Sequence, residues 1–268
     1  MTELRKLKTN DGFTIAAAHT YGKSNRVALW LHGITVNKDE YLGLFKDGAE
    51  YLASKGIDSL RIDFRGHGSS SGSSIDFGIV SQIFDVEAAL EFLNDKYEMD
   101  KARLHIIGCS FGAPPAIFTA LKNPSIVKGL TLIAPVLSYV RTFLRPETDW
   151  GKSIFNKDTV RLAQKKKRLY FNDKFPVSLR FIEEMRLIQP DIALAQVTCK
   201  VVIIHGDADS MVPYAVSKEV SFRIPEIQLV TMHNMDHGFM DVNDEEGTGS
   251  TSQENKRNIY ERIANQWL

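Results

Sequence analysis

Cysteine is nearly absent from this chain, which has only Cys109 and Cys199, too few for a disulfide framework. Net charge is absent too: 33 basic residues balance 33 acidic ones, so no global field draws the chain to nucleic acid or to a membrane surface. No apolar run reaches the roughly 18 residues that a spanning helix requires. Residues 1–11 are polar and lack the apolar segment of a secretory leader, so a cytoplasmic location is expected. The seven histidines are scattered and show no ligand spacing such as H-E-x-x-H, so neither a metal nor an organic cofactor is expected. Internal repeats are absent as well.

What is present is apolar content of 43% in 268 residues, ample for the core of one large α/β domain. The Asn10-Asp11-Gly12 turn signal joins an antiparallel edge hairpin over residues 4–7 and 14–19. Short apolar runs at 26–31, 58–62, 103–107, 130–133, 200–204 and 228–232 read as parallel strands. Helical patterns at 38–55, 79–97, 113–121, 214–221 and 253–267 lie between or after them. Strands alternating with helices predict a mostly parallel sheet covered on both faces.

The most informative motif is Gly108-Cys109-Ser110-Phe111-Gly112, which spells G-x-S-x-G directly between a strand and a helix. A serine in such a turn is forced into a strained backbone that lifts its hydroxyl above the sheet, while the glycines let strand and helix approach. Serine is a poor nucleophile at neutral pH and needs a histidine base, itself held by a carboxylate. The loop after residues 200–204 carries Asp207 and Asp209, and the loop after 228–232 carries His233 and His237. Asp209 is preferred as the acid because it lies deeper in its loop and precedes Val212-Pro213, whereas Asp207 is read as capping the turn through its own backbone. His237 is preferred as the base, and His233 is read as a packed or half-exposed strand residue. Cys109 is set aside as nucleophile because the raised tip of the turn belongs to Ser110. The chain order is then Ser, Asp, His.

Leu31-His32-Gly33, Asp63-Phe64-Arg65-Gly66-His67-Gly68-Ser69, the serine motif, His205-Gly206 leading to Asp209, and Asp236-His237-Gly238-Phe239 together span nearly the whole chain. In these motifs the chain resembles the α/β-hydrolase superfamily, within it the capped serine esterases of the feruloyl and cinnamoyl esterase kind and the related monoacylglycerol lipases. The resemblance implies an eight-stranded, mostly parallel sheet, with Ser110 as nucleophile, Asp209 as acid and His237 as base. It also implies oxyanion donors at the backbone amides of Ile34 and Phe111. Two departures bear on the substrate: Cys109 stands where such esterases often carry histidine, and Phe111 replaces a usual polar or small residue.

The expected organisation is a core of residues 1–136 and 197–268 with an inserted cap over 137–196, because the interval from 136 to 199 far exceeds a normal crossover. The cap carries Tyr139, Phe143, Trp150, Phe155, Tyr170, Phe171, Phe175, Phe181 and Met185. Most of these are expected to pack the cap onto the core and the remainder to line an apolar acyl pocket. His32 is read as bracing its loop, the glycine-rich stretch 63–72 as a tight structural turn, and 244–256 as a polar surface loop. Lys165 to Arg168 reads as a solvated helix face, with attraction of a coenzyme A or carrier-protein thioester as the alternative. The expected activity is hydrolysis of a small-molecule carboxylic ester with an acyl or aromatic acyl group. Thioesterase, acyltransferase and aminopeptidase-like amidase chemistry are the alternatives, and homodimerisation is left open.

Overall fold

The computed structural model describes residues 1–97, 103–171, 175–244 and 246–267. The chain opens with a hairpin, β1 (Thr2–Lys8) and β2 (Thr14–Thr20), followed by β3 (Arg26–Leu31), α1 (Leu44–Ser54), β4 (Asp58–Ile62) and α2 (Ile79–Lys96). Next come β5 (Arg103–Cys109), α3 (Ala113–Lys122) and β6 (Val127–Ile133). The chain then leaves the sheet for α4 (Asp149–Ile154), α5 (Lys157–Lys166), the small hairpin β7 (Arg168–Tyr170) and β8 (Pro176–Ser178), α6 (Leu179–Leu187) and α7 (Pro190–Leu194). It returns through β9 (Lys200–Gly206), α8 (Tyr214–Arg223), β10 (Gln228–Met232) and α9 (Ser250–Ala264).

The main sheet has the order β1-β2-β4-β3-β5-β6-β9-β10. β1 pairs antiparallel with β2 and β2 antiparallel with β4, whereas every later pair is parallel. This is the eight-stranded α/β-hydrolase architecture that the motifs imply. Side-chain alternation explains why helices cover both faces. Val27, Leu29 and Leu31 of β3 join the cluster under α2, α3 and α8, whereas Ala28 and Trp30 join the opposite cluster under α1 and α9. Trp30 is fully buried, its ring 4.9 Å from that of Phe45 in α1.

Strand order also fixes where a site can form. The chain steps from β3 to β4 on one side and to β5 on the other, so the loops after β3 and β5 flank a topological switch point at the C-terminal sheet edge. The loops after β9 and β10 open on the same edge because these strands run parallel to β5.

The interval between β6 and β9 is anchored by packing and by one helix cap. Phe181 of α6 lies 5.6 Å from Phe111 and 5.3 Å from Phe77 by ring centroids. Gly78, at the N-cap of α2, has no side chain to cap with. Glu184 of α6 supplies the missing acceptor, its Oε2 taking the Ile79 N–H at 2.6 Å and placing negative charge at the helix N-terminus.

Two helices differ from the sequence pattern. α1 begins at Leu44 rather than at residue 38, because Glu40, Leu42 and Gly43 take positive φ of 60°, 48° and 72° and spend residues 38–43 on a turn. α9 begins at Ser250, so the stretch expected as a surface loop over 244–256 contributes two helical turns. Ser and Thr there look loop-like in composition, but Ser252 and Lys256 are buried against the Asp241 and Leu42 backbones and pull the segment into the helix. Among the described residues, no helix is long and apolar enough to cross a membrane.

Candidate active site

Ser110 follows β5 directly and has φ +50°, in the left-handed region that non-glycine residues avoid. Its two glycine neighbours make the turn possible. A Cβ on Gly112 would lie 1.9 Å from the Leu31 carbonyl oxygen, and one on Gly108 would lie 2.6 Å from the Gly112 oxygen. Strand and helix therefore touch backbone to backbone, and the serine is left at the crest.

His237 Nε2 lies 3.1 Å from Ser110 Oγ, and His237 Nδ1 lies 2.7 Å from Asp209 Oδ2. Asp209 Oδ1 accepts the N–H groups of Met211 and Val212, each at 2.8 Å, so the loop exit orients the carboxylate. His205, near the end of β9, adds a strut to the same carboxylate. Its Nε2 donates to Asp209 Oδ2 at 3.1 Å, and its Nδ1 accepts the Ser217 hydroxyl at 2.8 Å. Burial works against the Asp209 charge, but the His237 charge and the hydrogen bonds of both histidines hold its pKa well below the usual carboxylate range. Burial likewise pulls the His237 imidazole down, yet the Asp209 charge and hydrogen bond, with Glu40 and Asp236 adding charge, raise its pKa above the ordinary value.

The two residues set aside in the sequence pair with each other. Asp207 Oδ2 meets His233 Nδ1 at 2.8 Å, and Asp207 Oδ1 accepts the Asn234 N–H at 2.8 Å. The Asp207 side chain therefore caps the loop after β10. The His233 side chain is 81% exposed, freer than a packed strand residue, because β10 has already ended at Met232.

The loop after β3 divides its amides unequally. Gly33 N–H donates to Glu40 Oε2 at 2.8 Å and Thr35 N–H to His67 Nε2 at 3.3 Å. Among the described residues, the Ile34 and Phe111 amides have no hydrogen-bond partner, and both residues line the cavity beside Ser110. His32 braces the loop from beneath, its Nε2 accepting the Phe64 N–H at 2.9 Å, and burial lowers its pKa to about 4. Burial lowers His67 to about 3, and its ring is spent on the same loop rather than on Ser110. The 63–72 stretch is a tight turn around Asp63, which accepts the Lys38 N–H at 2.7 Å and the Ser69 N–H at 2.8 Å. Burial, with Glu40 and Asp209 nearby, raises the Cys109 thiol well above its ordinary pKa and keeps it protonated.

A cavity of about 410 Å³ opens over Ser110 and His237. Of the aromatic residues between β6 and β9, Phe143, Trp150 and Phe171 line it, joined by Phe111, Met211 and Val212. Tyr139 and Phe181 are buried as packing, and Tyr170 is exposed. Backbone strain gathers here: Thr35, Glu40, Ser110 and Phe239 line the cavity at positive φ of 66°, 60°, 50° and 61°.

Sheet order, nucleophile-type turn and cavity define an α/β-hydrolase fold. More narrowly, the chain belongs to the family described as serine aminopeptidase, S33, whose model matches residues 22–246. Monoacylglycerol lipase ABHD6 from Mus musculus is 32% identical over 108 residues, which cover 40% of this chain and 30% of that protein. Monoacylglycerol lipase abhd6-B from Xenopus laevis is 30% identical over 108 residues, covering 40% and 29% respectively. The match thus spans less than a third of these relatives' length. Est1E from Butyrivibrio proteoclasticus, solved with ferulic acid bound, superposes with a TM-score of 0.74 at 21% identity, covering 97% of this chain and 99% of that one. Alpha/beta hydrolase domain-containing protein 10 from mouse superposes with a TM-score of 0.72 at 20% identity, covering 98% and 97%.

Proposed function

We propose that this chain is a serine hydrolase that cleaves carboxylic esters bearing an apolar or aromatic acyl group. The observation that carries the reading is the hydrogen-bonded line from Ser110 through His237 to Asp209, opening on an apolar cavity. With Nδ1–H directed at the Asp209 carboxylate, Nε2 is the atom that accepts the Ser110 proton as the oxygen attacks the ester carbonyl. The carbonyl oxygen gains charge as the tetrahedral intermediate forms, and the free Ile34 and Phe111 amides receive it. His237 then returns the proton to the departing alcohol, leaving an acyl-enzyme on Ser110. Water loses a proton to the same Nε2, attacks the acyl carbon and releases the acid.

The segment 137–196 acts in this reading as a cap, and Phe143, Trp150 and Phe171 as the wall against the acyl group. The ferulic acid bound to Est1E and the monoacylglycerol lipase relatives favour an ester, with an aromatic or aliphatic acyl chain respectively. The family description, serine aminopeptidase, favours amide cleavage as the second reading, since the same residues can attack an amide. The thioester alternative has less support: Lys165 to Arg168 are exposed, and none of them lines the cavity.

The test is hydrolysis of p-nitrophenyl acyl esters of increasing length beside aminoacyl amides, with Ser110→Ala as the paired control. Ester turnover that falls by about 10⁴-fold or more in the variant is expected. Wild-type turnover by Ser110→Ala rejects the mechanism, and cleavage of amides alone selects the second reading.

A further inference from the structure

A second carboxylate stands in the cavity wall that the acyl transfer above does not use. Glu40 lines the cavity with Gly33, Cys109 and His237. Its Oε2 accepts the Gly33 N–H at 2.8 Å and its Oε1 the Tyr41 N–H at 3.1 Å. The Glu40 backbone has φ +60°, a conformation that a glutamate leaves unless its surroundings hold it. What the strained turn achieves is the reach of the carboxylate back to the amide of the residue immediately before Ile34. Gly33 is itself confined, since a Cβ there would lie 3.2 Å from Ser110 Cβ and 3.7 Å from Glu40 Oε2.

We infer that Glu40 is a positioning residue for the proposed acyl transfer: its carboxylate clamps the Gly33 amide, leaving the adjacent Ile34 N–H free at the cavity, and puts negative charge beside His237. The inference rests on that proposed reaction. Two amides of one short loop have internal acceptors, Gly33 on Glu40 and Thr35 on His67, and the one between them is open. A loop held at both flanking amides presents its middle donor without reorganising as charge develops on substrate. Glu40 is thus one of the two fasteners, and the one that carries a carboxyl group.

In its ionised form Glu40 has a second effect that a neutral clamp lacks. Burial pushes its carboxyl above the ordinary range, while the Gly33 and Tyr41 amides, the His237 charge and the Cys109 thiol favour its ionised form. His237 in turn faces Asp209, Glu40 and Asp236, with His205 behind Asp209. Each of the three carboxylates favours the imidazolium. Neutralising Glu40 lowers the His237 pKa, and the acid limb of kcat/KM, which follows formation of neutral His237, moves to lower pH.

The experiment measures kcat and KM on p-nitrophenyl butyrate across pH for wild type, Glu40→Gln, Glu40→Ala and Ser110→Ala. Glu40→Gln keeps an oxygen to accept the Gly33 N–H and loses the charge, whereas Glu40→Ala loses both. Glu40→Ala should lower kcat by about ten- to a hundredfold with KM changed less than about threefold. Glu40→Gln should recover most of that loss and show its acid limb below that of wild type. Wild-type kcat in Glu40→Ala, or Glu40→Gln as slow as Glu40→Ala, overturns the clamp. An acid limb in Glu40→Gln that coincides with wild type overturns the electrostatic part. If Glu40→Ala does not fold by circular dichroism, the kcat and acid limb of Glu40→Gln decide. An active Ser110→Ala instead rejects the underlying reaction, an outcome separate from either result at Glu40.

Discussion

Two aspartate–histidine pairs join the loops after β9 and β10, with nearly equal separations: 2.7 Å for Asp209 and His237, 2.8 Å for Asp207 and His233. Everything around them differs. The Asp209 side chain is fully buried and that of His237 17% exposed, against 31% for Asp207 and 81% for His233. Water screens the outer pair, so it does little beyond tying two loops together. The inner pair has Ser110 at its far nitrogen and the His205 strut at its carboxylate. A short Asp–His distance alone therefore does not tell a loop tie from the pair proposed for catalysis; burial and a third partner separate the two.

Substitutions turn this contrast into measurements. Asp209→Asn should lower kcat by about 10⁴-fold, because an amide stabilises neither the right tautomer nor the imidazolium. A loss under about tenfold would falsify the assignment of the inner pair. Residual activity of the same variant should have its acid limb at lower pH than wild type. The sign follows from the raised His237 pKa: in the proposed reaction neutral His237 is the active base, so the rate falls as pH drops through that value, and removing the Asp209 charge lowers it. An unmoved acid limb would mean that some other group titrates.

Smaller effects sharpen the difference. His205→Gln should cost about tenfold in kcat by loosening the Asp209 carboxylate, a strut that Asp207 lacks. Equal kcat in variant and wild type would make the two backbone amides of Met211 and Val212 sufficient. Asp207→Asn and His233→Ala should each leave kcat/KM within about threefold and lower Tm by about 2 °C or less. A hundredfold loss of activity in either would give the outer pair a part in the chemistry and collapse the comparison.

Much of this was legible in the sequence because it is local. Strand alternation, the Gly108–Gly112 turn and the order of the functional loops depend on neighbours within a few positions. Asp209 lies deeper in its loop than Asp207 and His237 farther past its strand end than His233, and the geometry pairs Asp209 with His237 and Asp207 with His233. His205 and Glu40 were passed over for a physical reason. His205 stands in the sequence only as the start of the motif leading to Asp209, and its contact with that carboxylate exists only once the following loop folds back. Glu40 falls inside a helix-like pattern, and nothing local announces that positive φ at 40, 42 and 43 will break it. The aromatic content between β6 and β9 announced a pocket wall, yet the choice of Phe143, Trp150 and Phe171 over Tyr139, Phe155 and Phe181 depends on how the whole segment between β6 and β9 seats on the core.

The sequence by itself determined the alternation of strands and helices, the strained serine turn and the presence of aspartate and histidine in the loops at strand ends, since each follows from side-chain period, backbone sterics or residue order over short spans. Tertiary structure alone decided which groups meet. Ser110 and His237 are 127 positions apart, and their 3.1 Å contact exists only because β5, β9 and β10 run parallel in one sheet and deliver their loops to the same edge. The Glu40 contact with Gly33 and the shift of the His237 pKa are likewise products of burial and approach, quantities that a linear chain does not contain until the sheet has formed.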